Sequence, residues 1–354
     1  YYSWIVARDI YGYGYNYAGQ PGSRHEQFGS ADLKWEKTGK FNVGFDATLF
    51  NRVFLTFDYY SHKTTDMVFA VPVSYLTGLS EYYKNIGSLS NKGVEFSVGV
   101  NILQNKDWYW NLTLTGSHNK NKVLKLSTDD PIEGSISITE AGRPLYQWKM
   151  KEYAGVDPQT GEALWYLNET GDETTTNYNK AAKRYLGDAN PSFFGSLQNT
   201  LKWKGLDFSF QFNYSLGGKI FGDNLRYDEQ IGSSFYENYT QYVYENRWQK
   251  PGDITDVPRL STDDSYANKA SSRFLMSRSY LKLRSLSLGY SLPKEWLRTV
   301  CLDNARFFVN AESLYTWTAS DYRGFDPSGV GANGVQWWNY PLARSVVFGV
   351  QLGF

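Results

Sequence analysis

The chain has 354 residues, with 36 Lys and Arg against 36 Asp and Glu, a balance that removes the broad electrostatic argument for a nucleic-acid partner. Charged residues at 20% and hydrophobic residues at 41% exclude a disordered charged tail, and the single cysteine, Cys301, excludes an intrachain disulfide framework. Aromatic side chains make up 18%, with 32 Gly and only 3 Met, which favours β-structure over a helical bundle.

Residues 1–31 are aromatic and turn-rich, with Tyr11-Gly12-Tyr13-Gly14-Tyr15, and read as a loop preceding the first complete strand. The opening Tyr1-Tyr2 brings no basic n-region or apolar h-region, so no signal peptide is read in it. Period-two alternation begins at 41–49, where Phe41, Val43, Phe45, Ala47 and Leu49 share one face and Asn42, Gly44, Asp46 and Thr48 the other. A weaker strand pattern follows over 53–69. At 94–102, Val94, Phe96, Val98, Val100 and Ile102 oppose Glu95, Ser97, Gly99 and Asn101. Weaker patterns cover 107–119 and 192–203. At 206–214, Leu206, Phe208, Phe210, Phe212 and Tyr214 oppose Asp207, Ser209, Gln211 and Asn213. After weaker stretches at 279–292 and 305–317, the tail places Val346, Phe348, Val350, Leu352 and Phe354 on one face. About nine strands result.

Alternation alone suits a soluble sandwich as well as a membrane barrel. The connections separate them. Short links at 51–52, 104–106, 204–205 and the moderate 293–304 alternate with long ones at 70–92, 120–191, 216–278 and 318–340. Short periplasmic turns and long extracellular loops are the mark of an outer-membrane barrel. No apolar run reaches the ~18 residues of a membrane helix, whereas a barrel strand needs only ~9–11. Counting back from the C-terminal strand puts every short turn at the periplasmic side. Asp46, Glu95 and Asp207 then face the lumen, where a charge avoids a cost of up to ~2–4 kcal/mol at the lipid midplane. Trp108 and Trp203 fall near periplasmic ends, and Trp35, Tyr280 and Trp317 near outer ends, as two aromatic girdles require. Nine strands would leave two unpaired edges in lipid, so the expected fold is all-β: part of a larger transmembrane antiparallel β-barrel with long extracellular loops.

An ordered set of segments is more specific. Trp35-Glu36-Lys37-Thr38 precedes Phe41-Asn42-Val43-Gly44-Phe45-Asp46; Asp58-Tyr59-Tyr60 precedes Thr65-Asp66-Met67; Asn85-Ile86-Gly87 precedes Asn91-Lys92-Gly93-Val94-Glu95. Asn119-Lys120-Asn121-Lys122-Val123, Gly187-Asp188-Ala189-Asn190-Pro191, Tyr280-Leu281-Lys282-Leu283-Arg284 with Leu288-Gly289-Tyr290, and Tyr340-Pro341-Leu342-Ala343-Arg344 complete it. Over 32–354 the chain resembles the C-terminal barrel of SusC/RagA-type TonB-dependent outer-membrane transporters. The resemblance implies a barrel of about 22 strands, of which these are about nine at the C-terminal end. It also implies a plug domain and TonB-contacting segment, neither matched by any stretch of this sequence, and a SusD-like surface lipoprotein as lid. The implied activity is import of oligosaccharides or peptides across the outer membrane of a Gram-negative bacterium, driven through the TonB complex.

No catalytic constellation is found. His25, His62 and His118 are far apart, no phosphate loop or dinucleotide fingerprint occurs, and neither a metal nor a cofactor is expected. Asp129-Asp130 and Asp263-Asp264 read as solvated turns. The stretch Asp157–Tyr166 reads as a small outer hairpin, with Asp157-Pro158 opening the turn and Gly161 closing it. Flat aromatic faces in the outer loops suit sugar or peptide stacking, which selects Trp337 and Trp338 first, then Trp165, Tyr166, Tyr236 and Tyr239. The closing strand with Phe348, Val350, Leu352 and Phe354 resembles the terminal signal read by the barrel-assembly machinery, and the same face meets outer-membrane lipid. A passive porin or adhesin barrel is the alternative, and a soluble glycan-binding module a more distant one.

Overall fold

The computed structural model describes residues 7–79, 81–126, 130–232, 234, 238–262, 266–298 and 302–354. Nine long strands dominate it: β1 Lys37–Leu49, β2 Val53–Thr65, β3 Ser88–Gln104, β4 Trp108–Lys125, β5 Phe193–Trp203, β6 Leu206–Leu216, β7 Tyr280–Ser291, β8 Asn304–Thr318 and β9 Ser345–Gly353. They form one sheet in strict chain order, and the pairs from β4 to β9 are antiparallel. The links alternate as expected, with 50–52, 105–107, 204–205 and 292–303 short and 66–87, 126–192, 217–279 and 319–344 long.

Register assigns the two faces, because directly opposed residues share a face. One row across five strands is Leu114, Leu197, Phe212, Leu283 and Tyr315. The next row is Thr113, Gln198, Gln211, Ser285 and Glu312. Keeping the apolar set on one face requires a bulge. Arg284 is the extra residue of β7, and Ser313 adopts φ 52° on β8, where its hydroxyl accepts from Arg284 Nη1 at 3.0 Å. Leu281 and Leu283 thereby share a face with Leu286, Leu288 and Tyr290 despite the change of parity. A single clean period could not be read over 279–292 for this reason.

The apolar face stands open: Phe45 is 58% and Phe348 77% exposed. Such a continuous surface is a lipid-facing wall. Trp108 and Trp203 form a cross-strand pair beside the short turns, their rings stacked at 5.2 Å. Tyr315 and Trp317 lie 4.7 Å apart at the other end. Tyr280 departs from the expected girdle. It sits in the row Phe194, Ser215, Tyr280, Thr318, whereas Trp317 opposes Leu281, so Tyr280 belongs to the polar face.

Within the opening segment, read from the sequence as a loop, residues 10–27 carry strand structure. Ile10–Tyr17 and Gln20–Gln27 pair as an antiparallel hairpin, a two-stranded sheet apart from the main one. A register shift between Tyr13 and Tyr15, with Gly14 at φ 94°, masks its strand character in the sequence. The first tight turn also moves by one residue: Phe50 and Asn51 take φ 55° and 52°, and Arg52 N donates to Leu49 O.

Two compact units divide the chain: Tyr1–Asn42, Tyr60–Lys92 and Lys120–Gln147 in the first, and Val43–Tyr59, Gly93–Asn119 and Trp148–Phe354 in the second. The first has a small core of Leu89, Val123 and Leu126 with Met67, Ile132 and Leu145 against it. The second holds β5–β9 and the two loops that carry the candidate site. Its wall is knitted at Gly195, where the Tyr214 hydroxyl reaches across β5 to donate to Thr115 O on β4 at 2.7 Å. A Cβ on Gly195 would stand 2.1 Å from that carbonyl. Gly195→Val should therefore part β4 from β5, costing ~3 kcal/mol or more, while Tyr214→Phe should cost ~1 kcal/mol. The temperature at which the folded band disappears on a semi-native gel tests this ordering.

Candidate functional site

The site is built where loops 217–279 and 319–344 share a short sheet. Lys219–Gly222 lies between antiparallel Leu275–Ser277 and parallel Val335–Gln336. Ile220, Phe221 and Met276 are buried, and the Phe221 ring packs 6.2 Å from that of Trp148, so this sheet has a hydrophobic core of its own. Gln336 is the pivot. Its carbonyl accepts from Asp223 N at 3.0 Å and Asn224 N at 3.4 Å, and its side-chain Oε1 accepts from the Tyr322 hydroxyl at 3.2 Å. The chain then emerges as Trp337 and Trp338, which are 49% and 53% exposed.

The helical turn Leu225–Asp228 supplies the other half. Leu225 is buried beneath it, while Tyr227 is exposed and Asp228 partly so. The Tyr227 and Trp338 rings are 5.2 Å apart, those of Trp337 and Trp338 6.4 Å apart, and Trp338 Nε1 donates a long 3.4 Å bond to Asp228 Oδ1. Three open aromatic faces and a carboxylate thus share one patch. Such a patch can stack on a ring or an apolar side chain and accept hydrogen bonds from hydroxyl or amide groups.

A buried ion cluster fixes the patch from below. Glu229, next after Asp228, accepts from Arg323 Nε at 2.8 Å and lies 3.9 Å from Arg273 Nη2. Arg323 Nη2 donates to Arg273 O at 2.9 Å, and its guanidinium covers the Tyr242 ring at 4.9 Å. Burial works to lower the Arg323 pKa, but Glu229 outweighs it and holds the guanidinium above its ordinary value. Burial, reinforced by Asp256, raises the Tyr242 phenol far above its ordinary range, so its hydroxyl donates to both Asp256 oxygens, at 2.8 and 2.7 Å.

The second loop is also stapled to the wall. Lys282, nearly fully buried on the polar face of β7, pairs with Asp326 and donates to Ser328 Oγ at 3.0 Å. Burial pushes the Asp326 carboxyl upward, but hydrogen bonds from Lys282 and Ser328 win and hold it below the ordinary value.

The other aromatics singled out from the sequence divide. The Asp157–Tyr166 hairpin is present, with Tyr153–Val156 paired to Ala163–Tyr166 and Asp157 Oδ1 accepting from Gln159 N at 2.7 Å. Trp165, however, is 1% exposed, edge-on to Tyr153 and Tyr178, in a core with Ala163, Ala181, Ile231 and Ala267. It is a packing residue with no free face for a ligand. Tyr166 points the other way and lies under Arg184 at 5.0 Å. Tyr239 is half-buried ahead of the helix Gln241–Asn246. Tyr236, Cys301, Asp129, Asp263 and Asp264 lie outside the described residues. Tyr227 and Asp228 were missed, since nothing in the sequence pairs them with residues 110 positions away. Among the described residues no cluster of three or more metal-ligating side chains occurs. Phe348, Val350 and Leu352 are exposed on β9, and Phe354 follows at 89% exposure.

A chain-ordered antiparallel wall with one open apolar face, tight turns at one end and packed loops at the other defines a membrane β-barrel segment. The family model described as TonB dependent receptor-like, beta-barrel matches residues 6–193, just over half of the chain, and the chain belongs to that family. Its relatives are of SusC/RagA type. It is 31% identical to TonB-dependent receptor P3 of Formosa agariphila over 92% of this chain and 35% of that protein. It is 27% identical to TonB-dependent receptor SusC of Bacteroides thetaiotaomicron over 94% of this chain and 33% of that one. The solved structure of the RagAB peptide transporter superposes with a TM-score of 0.83 at 30% identity, over 99% of this chain and 39% of that chain. The chain thus spans about a third of the length of the curated relatives it matches.

The Lys282–Asp326 pair gives a pH test. A carboxyl with a depressed folded value stabilises fully above its unfolded pKa of about 4 and loses that contribution as pH falls through the folded value. Pepsin cleavage within 319–344 should therefore rise steeply below pH ~4. In Asp326→Asn, trypsin at pH 7 should already cut there, since breaking such a pair costs ~3–5 kcal/mol locally.

Proposed function

We propose that the chain is the C-terminal wall and outer-loop part of an energy-coupled importer in the outer membrane of a Gram-negative bacterium. It works with a SusD-like surface lipoprotein as lid and draws energy through the TonB complex. Its cargo is an oligosaccharide or a peptide, first held on the Trp337–Trp338–Tyr227 patch, with Asp228 accepting hydrogen bonds from the cargo. The observation that carries this reading is the exposed aromatic–carboxylate patch, anchored from beneath by Glu229 and Gln336, on a wall that superposes on a peptide transporter over nearly its whole length. An aromatic pair exposed for packing alone would not need so rigid a base.

In the full-length transporter, Trp337→Ala with Trp338→Ala should weaken cargo binding about 10- to 100-fold, the worth of two stacking contacts, with membrane abundance unchanged. Equal affinity and equal uptake would refute the patch as a cargo site. The tail is proposed as the signal for the barrel-assembly machinery, with Phe348, Val350, Leu352 and Phe354 on the lipid side. Deleting Phe354 should lower the amount of folded protein in the outer membrane several-fold, measured by surface labelling, without altering the affinity of the molecules that do assemble.

A further inference from the structure

Arg278 stands just before β7 and has an unusual set of partners. Nη1 donates to Ala189 O at 2.8 Å, and Nη2 to Val330 O at 3.0 Å and Gly331 O at 3.3 Å. All three acceptors are neutral carbonyls. No carboxylate among the described residues lies within ion-pair distance of it, while Asp326 is committed to Lys282 and Ser328. Carbonyls solvate a guanidinium but do not neutralise it, and a desolvated charge without a counter-charge is costly. Three contacts also leave two of its five N–H groups for another acceptor. Burial accordingly lowers the Arg278 pKa, with only the phenols of Tyr280 and Tyr322 acting against it.

The charge borders a cavity of about 280 Å³ on the polar side of the wall. Its floor is the row Phe194, Ser215 and Tyr280 with Asn213 one step along, and Pro327 and Ser328 of the stapled loop close one side. The volume suits one sugar ring or one amino-acid residue. Hydroxyl and amide groups beside an arginine without a counter-charge make an anion site, since each remaining guanidinium N–H can make a charge-assisted hydrogen bond to a carboxylate oxygen.

We propose that Arg278, with Tyr280, Ser215 and Asn213, forms a subsite for a carboxylate group on the lumen side of the wall. This deepens the import reading, on which its role with cargo rests, by assigning an acidic moiety to that cargo: a uronic acid in a glycan, or an acidic side chain or C-terminus in a peptide.

The experiment is equilibrium binding by saturation-transfer NMR on the purified full-length protein in detergent, which requires no transport. Two probe pairs are used: galacturonate against galactose, and N-acetylalanine against N-acetylalaninamide. The acid of at least one pair should bind tenfold or more tighter than its neutral partner, and the pair that discriminates identifies the source. Arg278→Gln should abolish the preference and Arg278→Lys retain part of it. Because Arg278 also holds two loops, Tyr280→Phe serves as a second variant, expected to weaken acid binding several-fold with Arg278 in place. No preference for either acid, or a preference that survives Arg278→Gln, overturns the subsite. Acid binding by a full-length wild-type protein that takes up none of these acids or their oligomers would instead count against the import reading and leave the subsite standing.

Discussion

The backbone hydrogen-bond ladder of β1–β9 is the constraint on which the remainder depends. Inside a bilayer an unpaired N–H or C=O has no water to turn to, so every strand must be flanked by another over its whole crossing. Chain-order pairing, with links of two to three residues at three of the four connections of one end and twelve at the fourth, satisfies this at low loop-closure cost. It also dictates that side chains alternate between lipid and lumen, and so where polar chemistry can be placed. The bulge at Arg284 shows how strongly the faces are held: an extra residue in β7 is absorbed by a distorted neighbour in β8 rather than by turning Leu281 and Leu283 inward.

With the wall set, the loops face a different problem. They have no lipid to bury against, so they build cores of their own. Ile220, Phe221 and Met276 fill one, and Trp165 with Ala163, Ala181 and Ile231 fills another. Buried ions then choose among the ways such loops could pack. Glu229 accepts Arg323 while facing Arg273, and Lys282 takes Asp326, each joining segments more than forty residues apart. Charges in such positions add less to net stability than to specificity, because a misplaced loop leaves one of them buried alone. That is what a loop must do if it is to present Trp337 and Trp338 in a fixed geometry.

The wall was legible in the sequence because alternation over ten or so residues has one physical meaning on a sheet, and short–long connections leave few topologies. The lapses have local causes. The hairpin at 10–27 was hidden by glycines that also signal turns, and by the register shift at Gly14. Tyr280 was assigned to the lipid girdle because strand ends near an interface attract aromatics, yet the row through Ser215 and Thr318 places it on the other face. Trp165 was read as exposed because it sits in a polar loop. The sequence does not reveal that Tyr153 and Tyr178 close over it, since that depends on partners remote along the chain.

The same reasoning separates the two aromatic-bearing regions of the second unit by what each can contribute. Trp337 and Trp338 lie on an exposed patch whose one nearby carboxylate, Asp228, already takes part in hydrogen bonds with Asn224 and Trp338. A contact there costs little desolvation and so gains little specificity. Arg278 is held among carbonyls at the edge of an open pocket, where the half-buried charge is partly stripped of water already. Its interaction with an anion is stronger for that reason, and a neutral isostere that enters leaves the charge uncompensated. If cargo binds as proposed, capture at the open patch followed by selection at the half-buried charge would let the first site be tolerant and the second exacting.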